Sequence, residues 1–175
     1  MSESLDPGVS LAWRLLKYRW LISISASVLA VDQLSKAWIR ARLPFNTYGE
    51  DAGAIPVVRG FFYIVHVGNT GAAWSILTGR SLVLAALAAA TLVAIFLGRR
   101  ALGLSATHAQ VCFGLLCGGI AGNLADRLTR GHVIDFLDFH FGAYIYPTFN
   151  LADSAICVGV VLYLLSSLRT PKLVA

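Results

Sequence analysis

The chain has 175 residues, of which 57% are hydrophobic and 13% are charged, and its formal net charge is +5. Soluble domains carry about 25% charged residues, so this composition argues against a soluble protein and favours one that exposes apolar surface to lipid. A positive charge suggests nucleic-acid binding in a soluble protein, but basic residues beside apolar spans are better explained by anionic headgroups. We therefore expect membrane lipids, and no nucleic acid, as partners.

Four apolar runs approach the roughly 20 residues that cross about 30 Å of hydrocarbon. They cover residues 20–39, 82–97, 107–125 and 148–168. We expect residues 1–175 to form one all-α integral membrane domain with four transmembrane helices, preceded by a cytoplasmic tail over residues 1–13. The basic residues before position 20 and the apolar run to Ala30 also resemble a cleavable signal peptide, but the run continues past Ala30, which favours a retained span.

Basic residues are dense in the short segments at both ends and between the second and third runs. They are more dispersed in the two long connections, residues 41–80 and 126–147. Because basic residues concentrate on the cytoplasmic side, we expect both termini in the cytoplasm and both long connections outside.

Both long connections contain patterns typical of β-structure. Residues 57–67 are rich in β-branched and aromatic side chains, residues 68–71 (GNTG) are a turn signal, and residues 72–77 can return as a second strand. Residues 138–146 alternate polar and aromatic side chains around Gly142, which indicates another hairpin. A small extracytoplasmic sheet is expected.

Glycines recur every fourth residue along the third run, at Gly114, Gly118 and Gly122. Residues four apart share one helix face, so these glycines form a smooth stripe that allows another helix to approach closely.

Two aspartates lie at the edges of the apolar runs. Asp135 is in the last connection, and Asp153 is just inside the fourth run, on the same side of the membrane. A carboxylate at a membrane span is costly and indicates function. Two carboxylates that share one proton can activate water, as in aspartyl hydrolases. The alternative is two separate carboxylates, each satisfied by an arginine or a helix N-terminus.

Other polar residues accompany this pair. Asn123, Asp126 and Arg127 cluster at the end of the third run, and Asp126 is a rival for the catalytic role. Asp32 and Lys36 are spaced to share a helix face in the first run, where a structural ion pair is favoured over direct chemistry.

Metal and serine chemistry are weaker alternatives. The set His132, Asp135, Asp138 and His140 matches no standard metal motif, and Ser154 has no histidine base on its helix. The three cysteines fall within the runs without metal-ligand spacing and are interpreted as packing residues. We expect neither a metal nor a cofactor.

Five motifs occur in a fixed order along the chain. They are DQLSK at residues 32–36, NTGAAWS at 69–75, GNLADR at 122–127, GHVIDF at 131–136 and FNLADSA at 149–155. In order and spacing they resemble the lipoprotein signal peptidase family, the type II signal peptidases.

The resemblance implies a bacterial membrane aspartyl endopeptidase with four transmembrane helices and a small β-structured cradle. It implies catalytic roles for Asp135 and Asp153. Supporting or substrate-binding roles are implied for a second set of residues: Asn69, Gly71, Gly122, Asn123, Asp126, Arg127, Asn150, Asp32 and Lys36.

The resemblance also implies a substrate and a location. The substrate is a prolipoprotein already diacylglyceryl-modified on its lipobox cysteine and cut just before that cysteine. Inhibition by the cyclic peptide globomycin is expected. The enzyme is expected to be a multi-pass monomer of the bacterial plasma (inner) membrane, with its active site near the outer surface.

Two other classes of function remain open from the residues alone. A small ion-coupled transporter could use Asp32, Lys36 and Asp153 as a proton relay, but it predicts internal repeats that the sequence lacks. A structural membrane subunit could use the glycine stripe as its partner interface, but it leaves the polar motifs unexplained.

Overall fold

The computed structural model of the chain describes residues 16–48, 53–72 and 76–169. Its long helices are α1 (Arg19–Arg42), α2 (Ser81–Gly98), α3 (Thr107–Arg130) and α4 (Leu151–Arg169). The tail expected over residues 1–13 lies outside the described residues.

Three of these helices are long and apolar enough to cross a membrane: α2, α3 and α4, with mean hydropathies of 2.4, 1.2 and 1.9. Helix α1 is also long, at 24 residues, but Asp32, Lys36 and two arginines in its last turn make it less apolar. Large apolar side chains are exposed along α2 and α4, as expected of helices that face lipid.

Helix α3 packs against all three other helices, and α1 also contacts α4. Small residues make this possible. A Cβ atom built on Gly114 would lie 2.9 Å from Ile24, and one on Gly118 would lie 2.7 Å from Val28. Gly119 faces the other way and touches the backbone of α4. The predicted glycine stripe is therefore confirmed as a surface of close helix packing.

The connections between the helices form one antiparallel sheet in the order β1-β2-β3-β4. Its strands are β1 (Ile55–Val58), β2 (Phe62–Asn69), β3 (Val133–Phe141) and β4 (Tyr144–Ile145). The hairpin predicted around Gly142 is confirmed, and this glycine has the left-handed φ of 64° that its turn requires.

The other predicted hairpin is wrong in its position. Its turn lies inside the segment predicted as one strand, at Gly60, whose φ is 76°. The return strand expected at residues 72–77 does not form at Ala72, Ile76 or Leu77, which lie in bends and turns, while residues 73–75 lie outside the described residues. Strand β2 pairs with the distant β3 instead.

Two boundaries differ from those expected around the aspartates. Asp135 lies on strand β3 rather than in a loop. Helix α4 begins at Leu151 rather than at residue 148, so Asp153 lies in its first turn. A small core formed by Ile39, Leu43, Ile134 and Phe136 holds β3 against the end of α1. The sheet thereby holds Asp135 beside the C-terminal end of α1.

Candidate active site

The two aspartates approach each other from different elements. Asp135 projects from β3, where it lies opposite Val67 of β2, and is 2% exposed. Asp153 is the third residue of α4 and is only partly buried. The connection between them is Asn150, the residue before α4, which is fully buried.

Asn150 hydrogen-bonds both carboxylates. Its side-chain nitrogen donates to Asp135 Oδ1 at 2.7 Å. Its backbone nitrogen donates to Asp153 Oδ2 at 3.2 Å, and its side-chain oxygen accepts from the Asp153 backbone nitrogen at 3.0 Å. The reciprocal pair with Asp153 resembles a capping box, which satisfies free N–H groups at a helix start. The residue that caps α4 therefore also fixes the two carboxylates relative to each other.

The second oxygen of Asp135 is held from the opposite side. Asn69 Nδ2 donates to Asp135 Oδ2 at 3.0 Å, and Asn69 Oδ1 accepts from the backbone nitrogen of Gly71 at 2.8 Å. The carbonyl of Gly71 accepts from Arg127 Nη2 at 3.0 Å. This chain of contacts ties β2, the following turn and α3 together around Asp135.

Asn123 serves Asp153 in the same way. Its Nδ2 donates to Asp153 Oδ1 at 2.7 Å, while its Oδ1 accepts from Lys36 Nζ at 3.0 Å. Asn150 Nδ2 lies 3.3 Å from the same oxygen. Asn123 thus links the carboxylate of Asp153 to a buried network of charged side chains.

That network is centred on Lys36. Its ammonium group lies 2.9 Å from Asp32 Oδ2 and 2.8 Å from Asp126 Oδ2, and all three side chains are fully buried. The predicted ion pair between Asp32 and Lys36 is therefore confirmed. The other oxygen of Asp32 accepts from the backbone nitrogen of Ala152 at 3.1 Å, so the network also holds the start of α4. Gly122 leaves room for the Asp32 carboxylate beside α3.

The surroundings of Asp126 distinguish it from the other two aspartates. Besides Lys36, it accepts from Arg130 Nη1 at 2.7 Å, Gln33 Nε2 at 3.2 Å and the backbone nitrogen of Ile134 at 3.3 Å. A fully buried carboxylate with these partners has no free face for water. The geometry supports a structural role for Asp126 and opposes its rivalry for catalysis.

Burial and charge act together on Asp135. Desolvation, followed by the negative charge of Asp153, raises the pKa of Asp135 from 3.8 to about 7, although hydrogen bonds from Asn69 and Asn150 and the charge of Lys36 oppose this rise. A carboxyl group with such a pKa exchanges a proton near neutral pH, as a general acid or base must.

A cavity of about 480 Å³ opens beside Asp135. It is lined by β2, the loops around it and the segment before α4, and Asp153 is not among its lining residues. The lining residues are Tyr48, Val67, Gly68, Asn69, Thr70, Ala72, Thr78, Asp135, Ile145, Tyr146, Pro147 and Thr148.

The residues considered as metal ligands point to separate partners. Asp138 pairs with His140 at 2.7 Å, and the ring of His132 packs against Phe45. Within the described ranges, no three side chains of histidine, cysteine, aspartate or glutamate are grouped as a metal site would require. Ser154 donates to the carbonyl of Asn150 at 3.0 Å, a contact within the helix start.

Sequence reasoning missed three residues of the site. Gln33 bridges Asp32 and Asp126, and Arg130 pairs with Asp126. The spacing of four between Asp126 and Arg130 on one helix could have revealed the second contact. Tyr48 lines the cavity, and no sequence pattern indicated its position.

Comparisons with known proteins agree with one another. The family described as signal peptidase (SPase) II matches residues 24–169. A lipoprotein signal peptidase of Nitratidesulfovibrio vulgaris is 36% identical over 90% of this chain and 94% of its own length. One of Syntrophotalea carbinolica is 40% identical over 89% of this chain and 95% of its own length.

Solved structures show the same likeness. One is described as a bacterial membrane enzyme determined by the in meso method at 2.3 Å, and it superposes with a TM-score of 0.75 at 29% identity, covering 89% of this chain and 94% of its own. A second, at 1.9 Å, gives 0.73 at 30% identity over 86% and 94% of the two chains. The chain therefore belongs to the lipoprotein signal peptidase family, the signal peptidase II membrane proteases.

Proposed function

We propose that this protein is an aspartyl endopeptidase that removes signal peptides from diacylglyceryl-modified prolipoproteins, cutting just before the lipidated cysteine. The observation that carries the proposal is the position of Asn150 between Asp135 and Asp153, with a hydrogen bond to each. Family membership supports the substrate class, because the relatives are lipoprotein signal peptidases.

In the proposed mechanism the two carboxyl groups share one proton. The ionised carboxylate takes a proton from a water molecule while the water oxygen bonds to the scissile carbonyl carbon, and the protonated carboxyl group gives its proton to the carbonyl oxygen. The resulting gem-diol returns one hydroxyl proton to the carboxylate that had protonated the carbonyl oxygen, which is the second of the two groups. The C–N bond then breaks, and the first carboxyl group protonates the leaving amine of the cysteine. Both aspartates end in their starting states.

Arg127 and Asn69 are proposed to hold the substrate backbone beside the dyad. Arg127 Nε is buried and has no hydrogen-bond partner within the described part of the chain. A buried donor without a partner is costly, so a substrate carbonyl that accepts from it would gain binding energy. Asn69 already contacts Asp135 and lies on the cavity wall, where it can meet the same peptide.

The same helices support a proposed membrane arrangement. We propose that α1 spans the membrane together with α2, α3 and α4, because its polar side chains Asp32 and Lys36 are satisfied against α3 rather than exposed to lipid. Both termini would then be cytoplasmic, and the sheet and the dyad would lie at the outer surface of the bacterial inner membrane. The acyl chains of the substrate would remain in lipid while its peptide reaches water. We further propose that the enzyme acts as a monomer and is inhibited by globomycin.

The test is cleavage of a diacylglyceryl-modified precursor and its unmodified twin by the purified full-length protein in lipid micelles. The modified precursor should be cut before the cysteine and the twin should not. Asp135→Asn and Asp153→Asn should each abolish cleavage while thermal unfolding shows a folded protein. Normal turnover by either variant would defeat the dyad, and equal cleavage of both precursors would defeat the substrate assignment.

A further inference from the structure

The backbone N–H and C=O of Gly68 on strand β2 point away from strand β3. Gly68 lies opposite Ile134 of β3, yet both backbone groups of Ile134 are engaged elsewhere. Its N–H donates to Asp126 Oδ2 at 3.3 Å, and its carbonyl accepts from Asn150 Nδ2 at 3.3 Å. The two residues therefore form a non-hydrogen-bonded antiparallel pair, in which the N–H and C=O of each member face away from the other.

His66, two residues before Gly68 on β2, supports the same orientation. Its carbonyl accepts from the backbone nitrogen of Thr47 at 3.2 Å, on the side of β2 opposite β3. Backbone groups two residues apart in a strand point to the same side, so the N–H and C=O of Gly68 also lie on that side. The bridge between Thr47 and His66 is an isolated antiparallel one. Phe45 precedes this bridge on the Gly68 side and lies in a turn.

Nothing in the described part of the chain hydrogen-bonds to Gly68 on this open side. Strand β1 pairs with the first half of β2 only, over Phe62, Tyr63 and Ile64. Gly68 lines the 480 Å³ cavity together with Asn69 and Asp135. An unpaired strand edge is a template for another extended chain, and here that edge borders the proposed reaction site.

The side of Gly68 that would carry a side chain is already filled. A Cβ atom there would lie 2.7 Å from the ring of Phe45 and 2.9 Å from the ring of His132. The two rings brace this position from one face, so only its backbone is available to a ligand. Recognition through backbone groups depends little on side chains, so this edge could bind extended segments of different sequence.

We propose that the free edge of β2 at Gly68 binds the first residues of the mature chain, those that follow the lipidated cysteine, as an added β-strand. This inference rests on the proposed function. The residues lining the cavity lie outside the three candidate membrane helices. The apolar signal peptide and the acyl chains belong in lipid, so the mature segment is the part of the substrate that extends along this surface.

The experiment uses the wild-type full chain and a series of synthetic diacylglyceryl-modified peptides. In each peptide one amide N–H, on either side of the cleavage site, is replaced by an ester oxygen, which removes a donor with little change of shape. Matched peptides keep all amides but carry alanine at the same position. Values of kcat/KM are compared with that of the parent peptide.

The expected result is a loss of about tenfold in kcat/KM for an ester at one position after the cysteine, with little effect at the next position. This alternation is the signature of a strand, in which every second residue faces its partner. The matched alanine peptides should be cut at nearly the parent rate. Uniform effects, or losses confined to the signal-peptide side, would overturn the inference. Failure to cut the parent peptide would instead overturn the proposed function.

Discussion

Asn150 and Asp153 exchange two hydrogen bonds across the first turn of α4, from Asp153 N to Asn150 Oδ1 at 3.0 Å and from Asn150 N to Asp153 Oδ2 at 3.2 Å. A helix start needs such bonds because its first N–H groups have no partner within the helix. Here the same bonds orient a carboxylate that we propose to be catalytic. Formation of α4 and formation of the site are therefore coupled.

Replacement of Asn150 should separate capping from catalysis. Serine also caps helices, so Asn150→Ser should retain about 1 kcal/mol of stability that Asn150→Ala loses. Both variants remove the amide that donates to Asp135 at 2.7 Å, and both should lose roughly 10- to 100-fold in kcat/KM. Thermal unfolding and precursor cleavage measure the two effects. Equal unfolding temperatures, or full activity in the serine variant, would contradict this account.

The pKa of Asp135 predicts how activity changes with pH. Because burial and the charge of Asp153 raise this pKa to about 7, the proton on Asp135 is lost as the pH rises through 7. The shared proton needed for catalysis then disappears, and kcat/KM should fall by about tenfold per pH unit well above 7. A profile that stays flat to pH 9 would argue against this role.

The same pKa predicts a pH-dependent difference in stability. In the unfolded chain this carboxyl group ionises near its ordinary pKa of about 4. Between about pH 4 and 7 the folded state is therefore protonated while the unfolded state is ionised, and folding takes up a proton. Stability from this group is present below pH 4 and is lost as the pH rises through 7. Asp135→Asn carries no such charge, so its unfolding temperature should rise relative to that of the wild type as the pH increases from 5 to 8.5. If the difference between the two unfolding temperatures stays constant over this pH range, Asp135 is not held in a site that disfavours its charged form.

Asp126→Asn is the matched control for the two proposed catalytic aspartates. Asp126 is fully buried and accepts from Lys36, Arg130 and Gln33, so its carboxylate stabilises the fold and is not available to activate water. We expect lower thermal stability but measurable cleavage, with kcat/KM per folded molecule within about tenfold of wild type. Cleavage as low as in Asp135→Asn, in a folded protein, would return Asp126 to the catalytic role.

Lys36→Met should be among the most damaging single changes. It leaves the buried carboxylates of Asp32 and Asp126 without the ammonium group that lies 2.9 and 2.8 Å from them. Loss of one partner of a buried ion pair costs about 3–5 kcal/mol. Addition of Asp126→Asn to this variant should recover part of the unfolding temperature, because one uncompensated charge is removed. Additive losses in the double variant would argue against direct coupling.

Helix packing gives a prediction with an internal control. A Cβ atom on Gly118 would lie 2.7 Å from Val28 Cβ and 2.8 Å from the carbonyl of Ser25, whereas one on Gly98 meets nothing closer than 3.6 Å. Gly118→Ala should therefore lower the unfolding temperature by forcing α1 and α3 apart, while Gly98→Ala should be tolerated. Equal effects would mean that the close approach of these helices is not required.

The sequence alone determined much about this protein. The long helices are visible as apolar runs in the sequence. The glycine stripe of α3 and the pairing of Asp32 with Lys36 follow from local spacing, because helix geometry fixes which residues share a face. The motifs likewise indicated the family, since they preserve the residue types at fixed spacing.

Only the tertiary structure decided how distant segments meet. Strand β2 pairs with β3 across more than sixty residues of sequence, which no local pattern encodes, and this pairing places Asn69 against Asp135. The distinct surroundings of Asp126 and Asp135 likewise depend on partners from other elements. Burial, hydrogen bonds and the pKa of a carboxyl group arise from its neighbours in space. Residue spacing alone could therefore name the candidates, and their roles were suggested by the family resemblance rather than by any local pattern.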